Sequence, residues 1–187
     1  MSKGEGKRST KKCLAYVAAF VVFQTAIILI FALTVMKVRS PKIRFNAIAV
    51  ESFSSNSSST SSINMRLLAQ VDIKNTNFGH FKYNNSTLTV LYDGVPLGEV
   101  VIPRGRAKAR KTRRFNVAVD LSSERLSGNG NNLGNDINSG TLRLRSEGRV
   151  SGKVHLIKII KRNKSGVMNC DWSINLRTRQ VENLRCN

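Results

Sequence analysis

Seven basic side chains fall within the eleven residues from Arg104 to Arg114, the densest group in this sequence that could bind a ligand. Guanidinium and ammonium groups bind phosphates and carboxylates, and each contributes about 1 kcal/mol near an anionic surface. A solvated loop between two strands explains the same run, because exposed like charges cost little. Both interpretations stay open for the basic segment, which comprises Arg104, Arg106, Lys108, Arg110, Lys111, Arg113 and Arg114.

The excess of positive charge extends beyond this segment. The net charge is +20, and 26 Lys and Arg face 10 Asp and Glu in residues 37–187. Nucleic acid, anionic lipid head groups and acidic polysaccharide all satisfy the same Coulomb attraction. Nucleic acid is disfavoured, because the basic segment has no aromatic side chain before Phe115 on which a base could stack.

Four Asn-x-Ser/Thr triplets could accept N-linked glycans if this part of the chain enters the secretory lumen. A chain rich in Asn and Ser also forms such triplets by chance. Two of the triplets overlap, so we expect at most one of that pair to be used. The candidate asparagines are Asn56, Asn84, Asn85 and Asn163.

The three cysteines suggest two kinds of chemistry. Cys170 and Cys186 could form a disulfide in an oxidising compartment, and two unpaired thiols are the alternative. Cys13 lies at the basic edge of an apolar run, where a cytosolic thiol could be palmitoylated. The sequence therefore favours a chain that has one part in the cytosol and another part outside it.

Catalytic and metal-binding patterns are not found. His80 and His155 are the only histidines, and neither has neighbouring metal ligands in the sequence. The chain has no HxxxH, CxxC or GxSxG pattern and no glycine-rich phosphate loop. We expect no catalytic residues, no cofactor and no metal, with a surface loop and a strand explaining the two histidines.

An apolar run of 24 residues, 13–36, contains no ionisable acid or base apart from the thiol of Cys13 and the phenol of Tyr16. As a helix it would be about 36 Å long, enough to cross a hydrocarbon layer of about 30 Å. A cleaved signal peptide is the alternative, but its apolar part is usually shorter and is followed by small residues. The run predicts a single transmembrane helix. Basic residues flank both ends, so the sequons and cysteines, not the positive-inside rule, favour a cytosolic amino terminus.

Alternating apolar and polar residues after this run predict strands. The pattern is clear at residues 43–49 and 65–73, and Asp93-Gly94 predicts a hairpin between residues 88–92 and 95–102. Further strands are predicted at 115–121, 142–144, 154–160 and 168–176, with Trp172 in the core. We expect loops at 52–62 and 127–140, and a short helical turn that begins at Ser123. Seven or eight short strands predict an all-β fold, an antiparallel β-sandwich of the immunoglobulin or fibronectin type III kind.

Residues 70–121, QVDIKNTNFGHFKYNNSTLTVLYDGVPLGEVVIPRGRAKARKTRRFNVAVDL, resemble the core of the plant late embryogenesis abundant type 2 domain. This domain is also called the water-stress and hypersensitive-response domain, and residues 139–176 resemble its membrane-anchored members. The family pattern closes a strand with Asn-Pro-Asn, and Asn75-Thr76-Asn77 takes that place in this chain. The first Asn can turn the chain through its side chain and accept a positive φ.

The resemblance implies a two-sheet domain with a role in stress or defence at the plasma membrane and no catalytic residues. We therefore predict a basic cytosolic tail at 1–12, a transmembrane helix at 13–36 and an extracellular domain at 41–187. The expected function is non-enzymatic, through contacts with protein, anionic lipid or cell-wall polymer close to the membrane. The alternative is lipid binding or lipid transfer. An apolar cleft would favour that alternative, and a packed interior would count against it.

Overall fold

The computed structural model describes residues 5–56, 62–126, 131–156 and 160–187. The chain divides into two compact units, Met1–Val38 and Arg39–Asn187. The first contains helix α1, Glu5–Val35, whose stretch Lys11–Thr34 is long and apolar enough to cross a membrane. A signal sequence near the amino terminus would share these properties. α1 is therefore a candidate membrane anchor or signal sequence.

The apolar run accommodates its threonines by hydrogen bonds inside α1. Thr25 and Thr34 donate their hydroxyls to the carbonyls of Val21 and Ile30, one turn earlier. A polar hydroxyl bonded in this way is tolerated where no water is present. α1 also begins at Glu5, so residues 5–12 of the predicted basic tail are helical. Lys, Arg and Glu are good helix formers, and they extend the helix that the apolar run begins.

The described residues of the second unit form ten strands, a 3-10 turn at Ser123–Leu126 and helix α2 at Asn131–Ser139. Each strand pairs with its neighbours in antiparallel fashion. The strands are β1 (Lys42–Asn56), β2 (Ser62–Lys74), β3 (His80–Tyr83), β4 (Ser86–Tyr92), β5 (Val95–Ile102), β6 (Gly105–Ala107), β7 (Thr112–Ser122), β8 (Thr141–Leu156), β9 (Ile160–Asn175) and β10 (Gln180–Cys186).

The strands form two sheets. The smaller has the order β1-β2-β7, and the larger has the order β10-β9-β8-β3-β6, with β4 beside β8 and β5 beside β4. β8 is 16 residues long, so it pairs with β9 on one side and with both β4 and β3 on the other. β1 contacts β9 and β10, and β5 contacts β7, which joins the two sheets. The predicted all-β, antiparallel two-sheet fold is confirmed.

Alternate side chains from both sheets fill the space between them. On β2 the odd-numbered residues from Ile63 to Ile73 are buried, as predicted. Trp172 is buried in the core, and its indole Nε1 donates to the Ser146 hydroxyl at 2.9 Å. This bond supplies the partner that a buried indole N–H requires. Each large apolar side chain buried in this way contributes about 1.5–3 kcal/mol to folding.

Asn75 connects two of the places where the chain crosses between the sheets. The first crossing runs from β2 to β3, and the second runs from β6 to β7. The Asn75 side-chain Nδ2 donates to the carbonyls of Gly79, Ala107 and Lys108 at 2.8, 3.3 and 3.1 Å. Its backbone N–H donates to the Lys111 carbonyl at 3.0 Å. One buried residue thus satisfies backbone groups from both crossings.

Asn77 extends this network to the start of the domain. Its backbone N–H and its Nδ2 both donate to Asn75 Oδ1, at 3.1 and 3.0 Å. Its Oδ1 accepts from the Arg39 N–H at 2.6 Å, and its Nδ2 donates to the Arg39 carbonyl at 2.7 Å. The predicted side-chain turn at Asn75 is present. Asn75 does not have a positive φ, and its side-chain bonds turn the chain without one.

β1 departs from the predicted alternation. Ile43 and Phe45 are buried, but Ala47 and Ala49 are exposed. A register shift between Phe45 and Ala47 is the cause, since an extra residue in one strand sends the following side chains to the opposite face. The predicted loop at 52–62 is also wrong at its ends, where β1 reaches Asn56 and β2 begins at Ser62. Its centre, 57–61, lies outside the described residues.

Helix α2 corrects the predicted loop at 127–140, of which residues 127–130 lie outside the described part. Its Asn- and Gly-rich sequence has low helix propensity. The helix is held from outside, because Leu133 is 1% exposed and the Tyr92 hydroxyl donates to Asp136 Oδ2 at 2.9 Å. The predicted turn at Ser123 is present, but the Ser123 hydroxyl accepts from the Ile63 N–H at 2.8 Å.

The strands of the carboxyl-terminal half are longer than predicted. The single strand predicted at 154–160 is wrong, because β8 ends at Leu156 and β9 begins at Ile160, with 157–159 outside the described residues. Strands β3, β6 and β10 were not predicted, and β3 and β6 are only four and three residues long. The Asp93-Gly94 hairpin is confirmed, and both residues have positive φ, 48° and 80°.

We expect Asn75→Ala to destabilise the domain by about 3 kcal/mol, because it leaves several buried carbonyl and N–H groups without partners. The measurement is chemical denaturation of the purified protein. The matched control is Asn116→Ala, which removes an exposed amide with one bond, from Gln70 at 3.2 Å, and should cost less than about 0.5 kcal/mol. Equal losses in the two variants would contradict the role of Asn75.

Candidate functional site: a cationic sheet face

The structure divides the basic segment between the two sheets. Arg106 lies on β6 in the larger sheet, and Arg113 and Arg114 lie on β7 in the smaller one. The remaining members, Arg104, Lys108, Arg110 and Lys111, lie outside these strands. The segment is therefore neither a single surface patch nor the uninterrupted loop of the other interpretation.

Several of these side chains make contacts within the domain. Arg114 forms two bonds with Asp72, Nε to Oδ1 at 2.8 Å and Nη2 to Oδ2 at 3.3 Å, and Asp72 is 1% exposed. This hydrogen bond and charge pair raise the pKa of Arg114. The Arg110 guanidinium stacks 4.8 Å from the centre of the Phe78 ring. These cations have internal partners that reduce their availability to a ligand.

Arg106 instead joins cations that are distant in sequence. Along one row of the larger sheet, Arg106 on β6 is directly opposite Lys82 on β3, and Lys82 is opposite Lys153 on β8. Lys153 in turn faces Asn163 on β9. All four side chains are exposed. Neighbouring strands are about 4.8 Å apart, so the row presents one cation per strand across three strands.

A second row lies beside the first on the same face. It places His80 on β3 opposite His155 on β8, and His155 opposite Lys161 on β9. His80 was expected in a surface loop, but it is the first residue of β3, and strand pairing makes the two histidines direct neighbours. The cationic face comprises the two rows without Asn163: Lys82, Arg106, Lys153, His80, His155 and Lys161.

The positive charges of this face affect the pKa of His155. Burial lowers the pKa of His155 from its ordinary 6.5, and the charges of Lys82, Lys161, Lys153 and His80 lower it further, in that order. The Arg106 Nη2 lies 2.7 Å from the His80 Nε2.

Close approach of two strands is needed to build the first row. A Cβ on Gly152 of β8 would overlap the Lys82 carbonyl and lie 2.7 Å from the Tyr83 Cα of β3. Glycine at this position lets the two backbones meet, and Lys82 comes to lie beside Lys153. Like charges directly opposite each other cost about 0.2–1 kcal/mol per pair. Neither row contains an Asp or Glu in the described residues, so the rows do not compensate this repulsion themselves.

The outer face of the smaller sheet provides a contrast. Arg66 lies 3.1 Å from Glu51 and 3.8 Å from Asp120, and Arg114 is paired with Asp72. Asn46 donates to Gln70, which donates to Asn116, forming a ladder of amides across its three strands. Two arginines of this sheet are thus matched by carboxylates, although Lys42 and Lys74 lie opposite each other at one end. The cationic face differs in having two adjacent rows of basic residues without a carboxylate among the described residues, which makes it the candidate binding surface.

A polar groove of about 540 Å³ borders the cationic face. Ser151 of β8 and Ser165 of β9 are direct partners along it, one step beyond the first row. The lining residues are Ser40, Asn84, Ser151, Gly152, Lys153, Asn163, Lys164 and Ser165. Two of the four predicted glycan acceptors, Asn84 and Asn163, therefore lie in one groove.

The other two predicted glycan acceptors lie elsewhere. Asn85 accepts a hydrogen bond from the Arg104 N–H through its Oδ1 at 2.7 Å. Asn56 is the last residue of β1, and its side chain lies outside the described part of the chain. Glycosylation at any of the four remains a prediction.

A larger cleft bears on the lipid-binding alternative. It has a volume of about 860 Å³ and is lined by Leu91, Asp93, Gly94, Arg143, Leu144, Arg145, Glu147, Asp171, Trp172, Ser173, Asn183 and Arg185. Half of these residues are charged, and Arg145 pairs with Asp171 at 2.8 Å. An acyl chain requires an apolar wall, since charged groups lose hydration on contact with it. This cleft does not favour lipid binding.

Two of the cysteines lie where a disulfide can link the last two strands. Cys170 of β9 and Cys186 of β10 are direct partners with Cα atoms 4.1 Å apart, and the structure joins them in a disulfide. Cys13 is exposed on α1 and unpaired. In the described residues, no group of three or more His, Cys, Asp or Glu is placed to hold a metal ion.

Comparison with known proteins identifies the family. The family model of the late embryogenesis abundant protein, LEA_2, matches residues 70–165. A late embryogenesis abundant protein of Arabidopsis thaliana is 35% identical over 178 residues, which cover 94% of this chain and 82% of that protein. The chain belongs to the late embryogenesis abundant type 2 family. The resemblance seen in the sequence is thereby confirmed.

Two solved structures share a distant likeness with this late embryogenesis abundant protein. A crystal structure of an Archaeoglobus fulgidus protein is 10% identical with a TM-score of 0.37, covering 68% of this chain and 94% of that one. A solution structure of an Arabidopsis thaliana protein is 14% identical with a TM-score of 0.41, covering 72% of this chain and 82% of that one.

The members of the cationic face that lie outside the basic segment were not predicted as site residues. Alternation alone would have placed His80 with Lys82, and Lys153 with His155, on one face of their strands. That alternation does not indicate which strands pair. The sequence thus indicated which residues share a face of each strand in the late embryogenesis abundant protein's cationic face. It did not indicate that these strands pair.

We expect the stability of the domain to fall as the pH drops below 6.5, in part because of His155. Because the pKa of His155 is lowered in the folded state, the unfolded chain binds this proton more readily than the folded chain does. The contribution of His155 to stability is therefore complete above pH 6.5 and is lost as the pH falls towards the folded pKa. His155→Gln should weaken this fall in denaturation experiments across that range. Parallel curves for the variant and the wild type would contradict it.

We expect the purified protein to contain one free thiol. Denatured without reductant, it should take one maleimide mass tag on Cys13, and three after reduction, because Cys170 and Cys186 are bonded. Cys13→Ser is the control and should take no tag before reduction. Three tags on the unreduced wild type would show that the disulfide does not form.

Proposed function

We propose that this late embryogenesis abundant type 2 protein is a membrane-anchored, non-enzymatic component of stress or defence responses. α1 crosses the plasma membrane once, with the amino terminus in the cytosol. The basic two-sheet domain lies outside, where it acts by binding other molecules and not by catalysis. Family membership supports the stress-related role.

The observation that carries the proposal is the exposed apolar surface of α1. Leu14, Phe20 and Phe31 are 74, 62 and 60% exposed, and the apolar stretch lasts for the whole of Lys11–Thr34. Apolar surface of this extent is unfavourable in water and stable in lipid. All helical backbone groups in the middle of such a segment are bonded internally, as a bilayer requires.

The side of the membrane is supported by two features of the domain. The disulfide between Cys170 and Cys186 is typical of oxidising compartments. The exposed Asn84 and Asn163 lie in sequons, which are used only in the secretory lumen. Both features agree with an extracellular domain, and Cys13 on α1 would then lie near the cytosolic surface, where palmitoylation adds a second anchor.

The test is to follow both ends of the chain. With a tag at each terminus, we expect the mature protein to retain the apolar run at 13–36, to resist alkaline extraction and to expose only the carboxyl-terminal tag to protease on intact cells. A soluble product that begins after the apolar run would establish a signal sequence and refute the anchor. Protection of the carboxyl-terminal tag would refute the proposed side.

A pair of variants tests whether lipid holds α1. Val22→Lys with Ala26→Lys places two charges near the centre of the helix, each costing about 2.5–3.5 kcal/mol in a bilayer. We expect this protein to leave the membrane fraction. Val22→Leu with Ala26→Leu is the matched control and should stay there. If the double lysine variant also stayed, the apolar surface would not be the anchor.

A further inference from the structure

We infer that the cationic face binds a linear acidic polysaccharide that carries a carboxylate on each uronic acid residue. The polymer runs along the first row from Arg106 over Lys82 to Lys153 and continues into the polar groove at Asn163. This inference deepens the proposed function by naming a partner class. It rests on the proposed function only for the presence of such a polymer on the domain's side of the membrane.

The spacing of the first row fits a repeating charge. Three cations on adjacent strands span about 10 Å in even steps of about 4.8 Å. A single phosphate or carboxylate could contact only one or two of them. A polymer with regularly spaced carboxylates can neutralise all three, and it also removes the repulsion that opposed like charges create within the sheet.

The groove supplies the groups that a sugar requires. Ser151 and Ser165 offer hydroxyls, and Asn84 and Asn163 offer amides, all beside Lys153. Hydroxyls and amides both donate and accept hydrogen bonds, so they match the hydroxyls of a sugar ring. A phosphatidylserine surface or an acidic peptide would use the cations without this array. The described residues of the cationic face and groove include no Phe, Tyr or Trp, which disfavours single-stranded nucleic acid.

Proton linkage provides an independent signature of binding. His155 is surrounded by Lys82, Lys153, Lys161 and His80, whose charges disfavour its protonated form. A carboxylate placed over these cations would favour that form again, so binding should take up a proton. Affinity should therefore increase between about pH 7.5 and about pH 5.5, a range in which carboxylates stay ionised.

The experiment uses the full chain in phosphatidylcholine nanodiscs, produced without N-glycosylation so that Asn163 is unmodified, and polygalacturonate as the probe. Lys82→Gln and Lys153→Gln should each weaken binding about fivefold, and together about 25-fold. Each should reduce the slope of log affinity against log salt by about one. Both variants should fold at least as stably as the wild type, because each removes a like-charge contact.

Lys74→Gln is the matched control. Lys74 is exposed on the smaller sheet and is opposite another lysine, Lys42, so the change removes the same charge from a similar setting. We expect less than a twofold change in affinity for this variant. A loss equal to that of Lys82→Gln would show that net charge, and not the cationic face, determines binding, and would overturn the inference.

Competing probes identify the chemistry. Methyl-esterified polygalacturonate should bind poorly, because its carboxylates are uncharged. Poly-glutamate, phosphatidylserine vesicles and DNA should bind more weakly than polygalacturonate. If any of them bound as tightly, or if the two Gln variants had normal affinity, the polysaccharide assignment would be refuted. The upward shift of the His155 pKa on adding polygalacturonate, followed by NMR, is the readout that a non-specific surface would lack.

The outcomes separate the two proposals. Specific polygalacturonate binding by a chain whose domain is found in the cytosol would support the site and refute the proposed location. An extracellular domain without such binding would leave the anchor standing and refute the site.

Discussion

The buried amide of Asn75 binds backbone carbonyls at two crossings between the sheets, from β2 to β3 and from β6 to β7. A crossing segment leaves the hydrogen-bonding ladder of one sheet before it joins the next, so its polar groups need other partners inside the domain. Asn75 and Asn77 supply these partners and extend them to Arg39, where the domain begins. The rest of the two-sheet arrangement depends on this network.

The same network accounts for the position of the candidate site. By holding the Ala107 and Lys108 carbonyls near Gly79, Asn75 keeps the end of β6 against the start of β3. This pairing brings Arg106 opposite Lys82, and the glycine at 152 lets β3 approach β8. The Asn75 amide and Gly152 thus place three cations side by side. The side-chain bonds of Asn75 and Asn77 form with Thr76 between them.

The two outer faces of the domain differ in how their charged side chains are paired. The smaller sheet pairs Arg66 and Arg114 with carboxylates and opposes one pair of lysines, whereas the larger sheet opposes cations in two adjacent rows that have no carboxylate among the described residues. Uncompensated repulsion lowers stability without any benefit to the fold, and such departures from local consistency are typical of functional surfaces. The disulfide and the densely packed core supply stability elsewhere in the domain.

The sequence by itself determined the features that depend on neighbours along the chain. The apolar helix, the alternation of β2 and the Asp93-Gly94 hairpin follow from local periodicity and turn chemistry, and all are present. Tertiary structure decided the rest. The bulge in β1 reversed its faces, and Tyr92 and Leu133 made a helix from a sequence with weak propensity. The cationic face exists only because pairing joins Lys82, Arg106 and Lys153, residues too far apart in sequence for any local pattern to connect them.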